Sequence, residues 1–321
     1  MKKRVILLAL IAVIIAVFFI PIEQQKTILV KSPFLNAYET LSNPLKWTKW
    51  RTDLRKEMAI DSNKISIKKD SGAFEIKNQN DDLQVKLKAN SFDIDDTHNG
   101  NTNSYRYSLL PVADKLLNKS ILVVDARVSI LNYLVEIVWP SAHSDNHGEE
   151  FKDFMETDSL HYGFNIIKTV VPESYLLVME KQVPDKNKFT AAAAILAALQ
   201  AYMKANDIQQ LHPLIAQFNN KLKDSVDVKI GFFINKEVKP GNGIQFNRMP
   251  KGGRLFAATY RGPFSKRGQA YAALKEYFAN TAHQLVLLPF ESYLNNKLPV
   301  SENDTVSIQE NLGTFDPAPA K

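Results

Sequence analysis

A glutamate and a tyrosine two positions apart, Glu291 and Tyr293, are the side chains of this 321-residue chain best placed to do chemistry. Residues two apart on a strand point to the same side, so the segment Pro289-Phe290-Glu291-Ser292-Tyr293-Leu294 would present a carboxylate beside a phenol. The chain also carries information on what surrounds that carboxylate. Pro289–Asn296 aligns with Pro213–Asn220 at an offset of 76, which sets the apolar Ile215 where the later segment has Glu291. If the position faces inward, Glu291 is a charge in an apolar pocket. Such a charge is costly unless paired, so it would attract a cation or carry a raised pKa. Other chemistry is sparse. There is no P-loop, no G-x-G-x-x-G and no serine on a nucleophile elbow. The absence of cysteine excludes a thiolate nucleophile, a disulfide framework and Cys-ligated metal. His143, Asp145 and His147 are donor types that zinc accepts. Their loop, Ser141 to Gly148, has the composition of a solvated turn. No metal and no cofactor is expected.

The elements that position Glu291 are written twice in the chain. Ala197-Ala198-Leu199-Gln200-Ala201-Tyr202-Met203 matches Ala272-Ala273-Leu274-Lys275-Glu276-Tyr277-Phe278 at an offset of 75, close to the offset of the Pro213 and Pro289 segments. Two segments keeping nearly one offset imply two copies of one unit. Each copy reads strand, helix, strand, strand. The first copy spans Ser174–Lys181, Phe189–Asn206, Pro213–Asn219 and Val226–Asn235. The second spans Arg254–Arg261, Phe264–His283, Pro289–Leu294 and Thr305–Gln309. Apolar residues at helical spacing, Ile195, Leu199 and Tyr202 in one copy and Tyr271, Leu274, Tyr277 and Phe278 in the other, read as core packed on a sheet.

Tyr260-Arg261-Gly262-Pro263-Phe264, then Tyr271 and Leu274, then Pro289-x-Glu291-x-Tyr293-Leu294, resemble the GyrI-like family, the effector-binding domains of bacterial transcription activators. The resemblance runs over Asn165 to Gln309. It implies two strand-helix-strand-strand units about a pseudo-twofold axis, with a cleft that binds hydrophobic, often cationic, small molecules between aromatic side chains and a central carboxylate. By that likeness Glu291 and Tyr293 line the cleft, Tyr260 and Phe233 end strands that flank it, and Phe218 belongs to the matching strand of the first copy. Each of these aromatics would serve equally in a plain core, Phe233 above all. Some relatives in that family are hydrolases of reactive electrophiles, in which Glu291 and Tyr293 would act as base and acid. Others act by binding a protein. Three functions therefore stand open: a binder of small molecules, a hydrolase, and an interaction module.

The first half reads as an antiparallel meander. A strand at Lys26–Lys31 leads to a helix beginning at Ser32-Pro33, with Ser32 as N-cap, then Trp47 and Trp50, then strands from Lys64 to Trp139. This order resembles the START-like helix-grip family of polyketide cyclase-like proteins. In that family a long amphipathic helix closes a cavity. Here the corresponding stretch, His147 to Leu160, is short and charged, which predicts a poor cavity. Ahead of it, Val5–Ile22 is eighteen residues without a charge, preceded by Lys2, Lys3 and Arg4. The pattern predicts an uncleaved, single-pass membrane helix with the body outside the cytoplasmic membrane. The fold class expected is thus α+β: a transmembrane helix, a helix-grip-like antiparallel sheet domain and a duplicated strand-helix-strand-strand domain. The expected bounds are a basic tail at 1–4, the anchor at 5–22, domains at 26–164 and 165–311, and a disordered tail at 312–321. The net charge of +6 comes without a Lys/Arg run interleaved with aromatics, so charge gives no indication of nucleic-acid binding.

Overall fold

The computed structural model describes residues 21–78, 81–98, 100–113, 119–130, 146–222, 224–241 and 243–314. The chain divides into two units, Met1–His161 and Tyr162–Lys321, and the class is α+β, with one antiparallel sheet in each unit.

In the first unit, strand β1 (Pro21–Val30) is followed by three short helices, α1 (Phe34–Ser42), α2 (Pro44–Trp50) and α3 (Thr52–Ile60). Six strands follow: β2 (Ser66–Asp70), β3 (Ala73–Lys77), β4 (Asp81–Leu87), β5 (Ser91–His98), β6 (Asn101–Pro111) and β7 (Ser120–Ser129). The sheet order is β1-β7-β6-β5-β4-β3-β2. Alternation chooses its faces. Phe74 and Ile76, Leu83 and Val85, Phe92 and Ile94, Tyr107 and Leu109 are buried, and their neighbours carry charge or face water. Helices α4 (His147–Glu156) and α5 (Asp158–His161) close the unit. Though short, α4 delivers Phe151, Phe154 and Met155 to the core. The core is rich in aromatic rings: Trp47 lies 4.7 Å from Trp50, and Phe151 meets Trp50 edge-on. Both tryptophans ride on α2, a helix that Asn43 starts by accepting the Leu45 N–H, with Pro44 in its first turn. Ser32 does not cap α1: the cap position is Pro33, with no side-chain bond.

The second unit runs β8 (Ile166–Val170), β9 (Tyr175–Pro184), α6 (Lys188–Ala205), β10 (Ile215–Leu222), β11 (Ser225–Phe233), β12 (Ile244–Arg248), β13 (Arg254–Pro263), α7 (Gly268–Asn280), β14 (Leu285–Tyr293) and β15 (Thr305–Thr314). The order strand, helix, strand, strand thus occurs twice, with β8 and β12 added as five-residue edges. The sheet order is β12-β9-β11-β10-β14-β15-β13-β8, and β10 and β14 join the halves at its middle. One face is covered by α6, through Ala192, Ile195 and Leu199, and by α7, through Ala270, Leu274 and Phe278. A smaller cluster, including Leu176, Ile215, Phe233, Leu255 and Phe290, occupies the other face.

Four expectations are corrected here. No helix among the described residues is long and apolar enough to cross a membrane. This overturns the fold class that began with a transmembrane helix and, with it, the single-pass location. Pro21 and Ile22, expected to end that helix, begin β1, where they pair with Ser129 and Val128. Residues 1–20 lie outside the described residues, as do the expected strand at 133–139, His143, Asp145 and residues 315–321. Leu312, Gly313 and Thr314, expected in the tail, continue β15. The repeat also has a different register from the one its prolines suggest. The offset of 76 equates Ile215 with Glu291, yet Glu291 pairs with Ala216 and shares its face, while Ile215 pairs with Ser292 on the opposite face. The pairing of β14 with β15 is also irregular between Leu287 and Phe290. A slip of one position moves a side chain to the other face of a sheet.

Candidate functional site

The register places a row of residues straight across the helix-covered face of the second sheet: Met179, Ile230, Ala216, Glu291, Glu310 and Ala258, each the direct partner of the next. In the first copy the central strands contribute Ile230 and Ala216. In the second they contribute two glutamates, Glu291 and Glu310, side by side and 7% and 6% exposed.

Glu291 is not an empty anion. Its Oε1 accepts from Arg267 Nε at 2.6 Å, and its Oε2 accepts from the Tyr293 hydroxyl at 2.7 Å. Arg267 comes from the turn that enters α7. Its guanidinium lies 3.6 Å from the centre of the Phe264 ring and 5.6 Å from that of Phe218, and its NH1 donates to the Phe264 carbonyl. Phe189 and Phe218 both stand edge-on to Phe264 at 5.2 Å. A cation on an aromatic face beside a carboxylate is doubly favoured, and more so where water is thin. The Arg267 side chain remains 20% exposed, so this corner opens to solvent through it.

The remaining acid has no such partner. Among the described residues nothing hydrogen-bonds Glu310 Oε2, although the atom is buried. Burial first, and then the charge of Glu291, push its carboxyl up to about 8, with Arg267 opposing. Glu310 is therefore a neutral acid near pH 7. Tyr293 is likewise pushed above the usual phenol range, first by burial and then by the charge of Glu291 and the bond to it. It remains a donor.

Tyr260 and Tyr293 flank Ile308 on the same face, through the pairs Tyr260↔Ile308 and Tyr293↔Ile308. The Tyr260 hydroxyl turns back to donate to the Pro263 carbonyl at 2.8 Å. Gly262 makes room for that turn, since a Cβ there would come within 2.6 Å of the hydroxyl. This accounts for the spacing Tyr-Arg-Gly-Pro-Phe: the glycine admits the tyrosine, and Phe264 then lies flat beneath Arg267. A Gly262→Ala variant should displace the Tyr260 ring and lose about 1–3 kcal/mol, read as a shift in the urea midpoint.

Of the expected residues, Glu291, Tyr293, Tyr260 and Phe218 lie on one face, the first two in direct contact and Phe218 joined to them through Arg267. Phe233 is on the opposite face, where it meets His212 and lines a depression of about 190 Å³. Sequence reasoning passed over Arg267, Phe264, Phe189 and Glu310. Glu310 could have been found once β15 was extended past Gln309, since it alternates with Ile308 and Leu312. Nothing in the local sequence marks Arg267, whose partner is 24 residues away.

No family model matches the chain, and no curated protein matches it. Solved structures of similar fold include the EcmrR C-terminal domain, 19% identical, with a TM-score of 0.39, covering 48% of this chain and 99% of that one. A hydrolase from Listeria innocua is 12% identical, with a TM-score of 0.34, covering 47% and 92%. CalU16 from Micromonospora echinospora is 11% identical, with a TM-score of 0.30, covering 44% and 80%.

Glu310 ties stability to pH. Its carboxyl is held up to about 8 in the fold against an ordinary 4.5, so between those values the native state binds more protons than the unfolded chain. The stabilisation is complete below the unfolded pKa, falls as pH rises and is gone above the folded value. Glu310→Gln should therefore be more stable than wild type at pH 8.5 and close to it at pH 5. Urea titrations at the two pH values check this, and equal curves for both proteins would show Glu310 to be ordinarily ionised.

Proposed function

We propose that the second unit is a small-molecule-binding module for a hydrophobic, cationic ligand held at Glu291 between aromatic rings. The observation that carries this reading is the seat of Arg267: a cation of the protein's own, lying on Phe264, beside Phe218 and paired with a buried carboxylate. These surroundings suit a quaternary ammonium or an aromatic amine, and the 20% exposure of Arg267 gives such a ligand an approach. The hydrolase reading is weaker. Both oxygens of Glu291 are engaged, and Tyr293 is a poorer acid than a free phenol, whereas acid–base catalysis favours groups that titrate near the working pH. For an interaction module, no observation favours one partner.

The test is a titration of the full chain with benzyltrimethylammonium and with its uncharged isostere neopentylbenzene. One equivalent of the cation should bind, and more tightly than the neutral compound. Equal affinity would remove Glu291 from the reading, and no binding of either would end it.

A further inference from the structure

Glu310 is the one buried carboxyl of this corner that the proposed binding leaves without a role. It faces Glu291 across the β14–β15 pair, its Oε2 has no hydrogen-bond partner among the described residues, and the chain supplies a single guanidinium to the two acids. On its other side β13 offers only Ala258, and α7 turns Ala270, Ala273, Leu274 and Phe278 inward. The charged or titratable groups that bear on it are Glu291, Arg267 and, through Glu291, Tyr293.

A ligand cation entering here can displace Arg267 or join it. Displacement breaks the bond to Glu291, the bond to the Phe264 carbonyl and the stacking on Phe264. Joining it requires a second negative charge at the same place. We propose that Glu310 is the counter-ion of the bound ligand, and that a cation enters this site in exchange for the proton of Glu310. Before binding, the Arg267–Glu291 ion pair and the protonated Glu310 carry no net charge. Afterwards two carboxylates face two cations, and one proton has gone to solvent, so charge and protons balance. The ligand class is a monocation of fixed or high-pKa charge with an aromatic or aliphatic body. The raised carboxyl of Glu310 places the exchange in the range where it can be measured.

This inference rests on the ligand-binding reading, and its test separates the two. Benzyltrimethylammonium has no proton to lose, so any proton released comes from the protein. Calorimetry of the full chain at pH 7 in phosphate and in Tris, whose ionisation enthalpies differ widely, should give different apparent enthalpies, corresponding to nearly one proton released per ligand. Below the pKa of the exchanging group, affinity should rise about tenfold per pH unit and then level off. Glu310→Gln should release no proton and bind weakly and equally from pH 6 to pH 8. Binding without proton release, or a pH dependence that survives Glu310→Gln, overturns this inference and leaves the binding reading intact. No binding at any pH overturns both. The wild-type buffer comparison needs no variant, so the test does not depend on one folding.

Discussion

Replacing both acids, Glu291→Gln with Glu310→Gln, should destabilise the second unit by about 3–5 kcal/mol, because Arg267 is then left without any carboxylate. The two single variants should cost far less than that. In Glu291→Gln the charge that suppresses ionisation of Glu310 is gone while Arg267 remains. Glu310 can then ionise and stand in as partner, so the cost should be about 1–3 kcal/mol and smaller at pH 8 than at pH 5. Glu310→Gln alone removes no ion pair. Acting on one cation, the pair must be non-additive, and a double-mutant cycle reads the coupling directly. The measurement is urea denaturation followed by far-ultraviolet circular dichroism. Strict additivity would mean that Glu310 does not take over Arg267 when Glu291 is lost. The same Glu291→Gln protein tests the function: affinity for benzyltrimethylammonium should fall while that for the neutral isostere holds.

The second large effect belongs to the first unit. Trp47 is 1% exposed, lies tilted against Trp50, meets Phe74 edge-on and donates its indole N–H to the Leu41 carbonyl at 2.8 Å. Trp47→Ala empties the centre of that core and should cost about 3–5 kcal/mol. The buried cores of the two units share no residue, and all three tryptophans precede residue 162. Fluorescence of the remaining tryptophans should therefore report a transition moved to much lower urea. The part of the circular dichroism that belongs to the second unit should keep its midpoint. A common shift of both signals would show the units to unfold as one.

The strands and helices of the second unit were legible because a duplicated pattern is read twice. Helix α6 and helix α7 each carry their apolar stripe, and the central strands are apolar runs buried on both faces. The edges β8 and β12 were not, being five residues long with most side chains exposed. Glu291 and Tyr293 stood out by type and spacing, and their shared face follows from strand geometry alone. The 76-residue offset of Pro213 and Pro289 equated Glu291 with Ile215, a side chain that the pairing puts on the opposite face, while Ala216 shares the face of Glu291. Arg267 was beyond reach, because a charged residue in a turn has the same local signature whether it faces water or a buried acid. Phe233, read above all as core, is buried on the face away from the helices. Its neighbour Phe232 has the same chemistry and lies on the helix-covered face, and composition does not choose between them.

The short outer strands also bear on self-association. Among the described residues β12 pairs only with Tyr175–Met179 of β9, and β8 only with Arg254–Ala258 of β13. The outer rims beyond them read Glu180-Lys181-Gln182-Val183-Pro184 and Thr259-Tyr260-Arg261-Gly262-Pro263. Each rim carries charge and ends in a proline, which has no N–H to offer an incoming strand. Beyond the five residues of each outer strand, neither rim offers an incoming chain a continuous row of N–H groups.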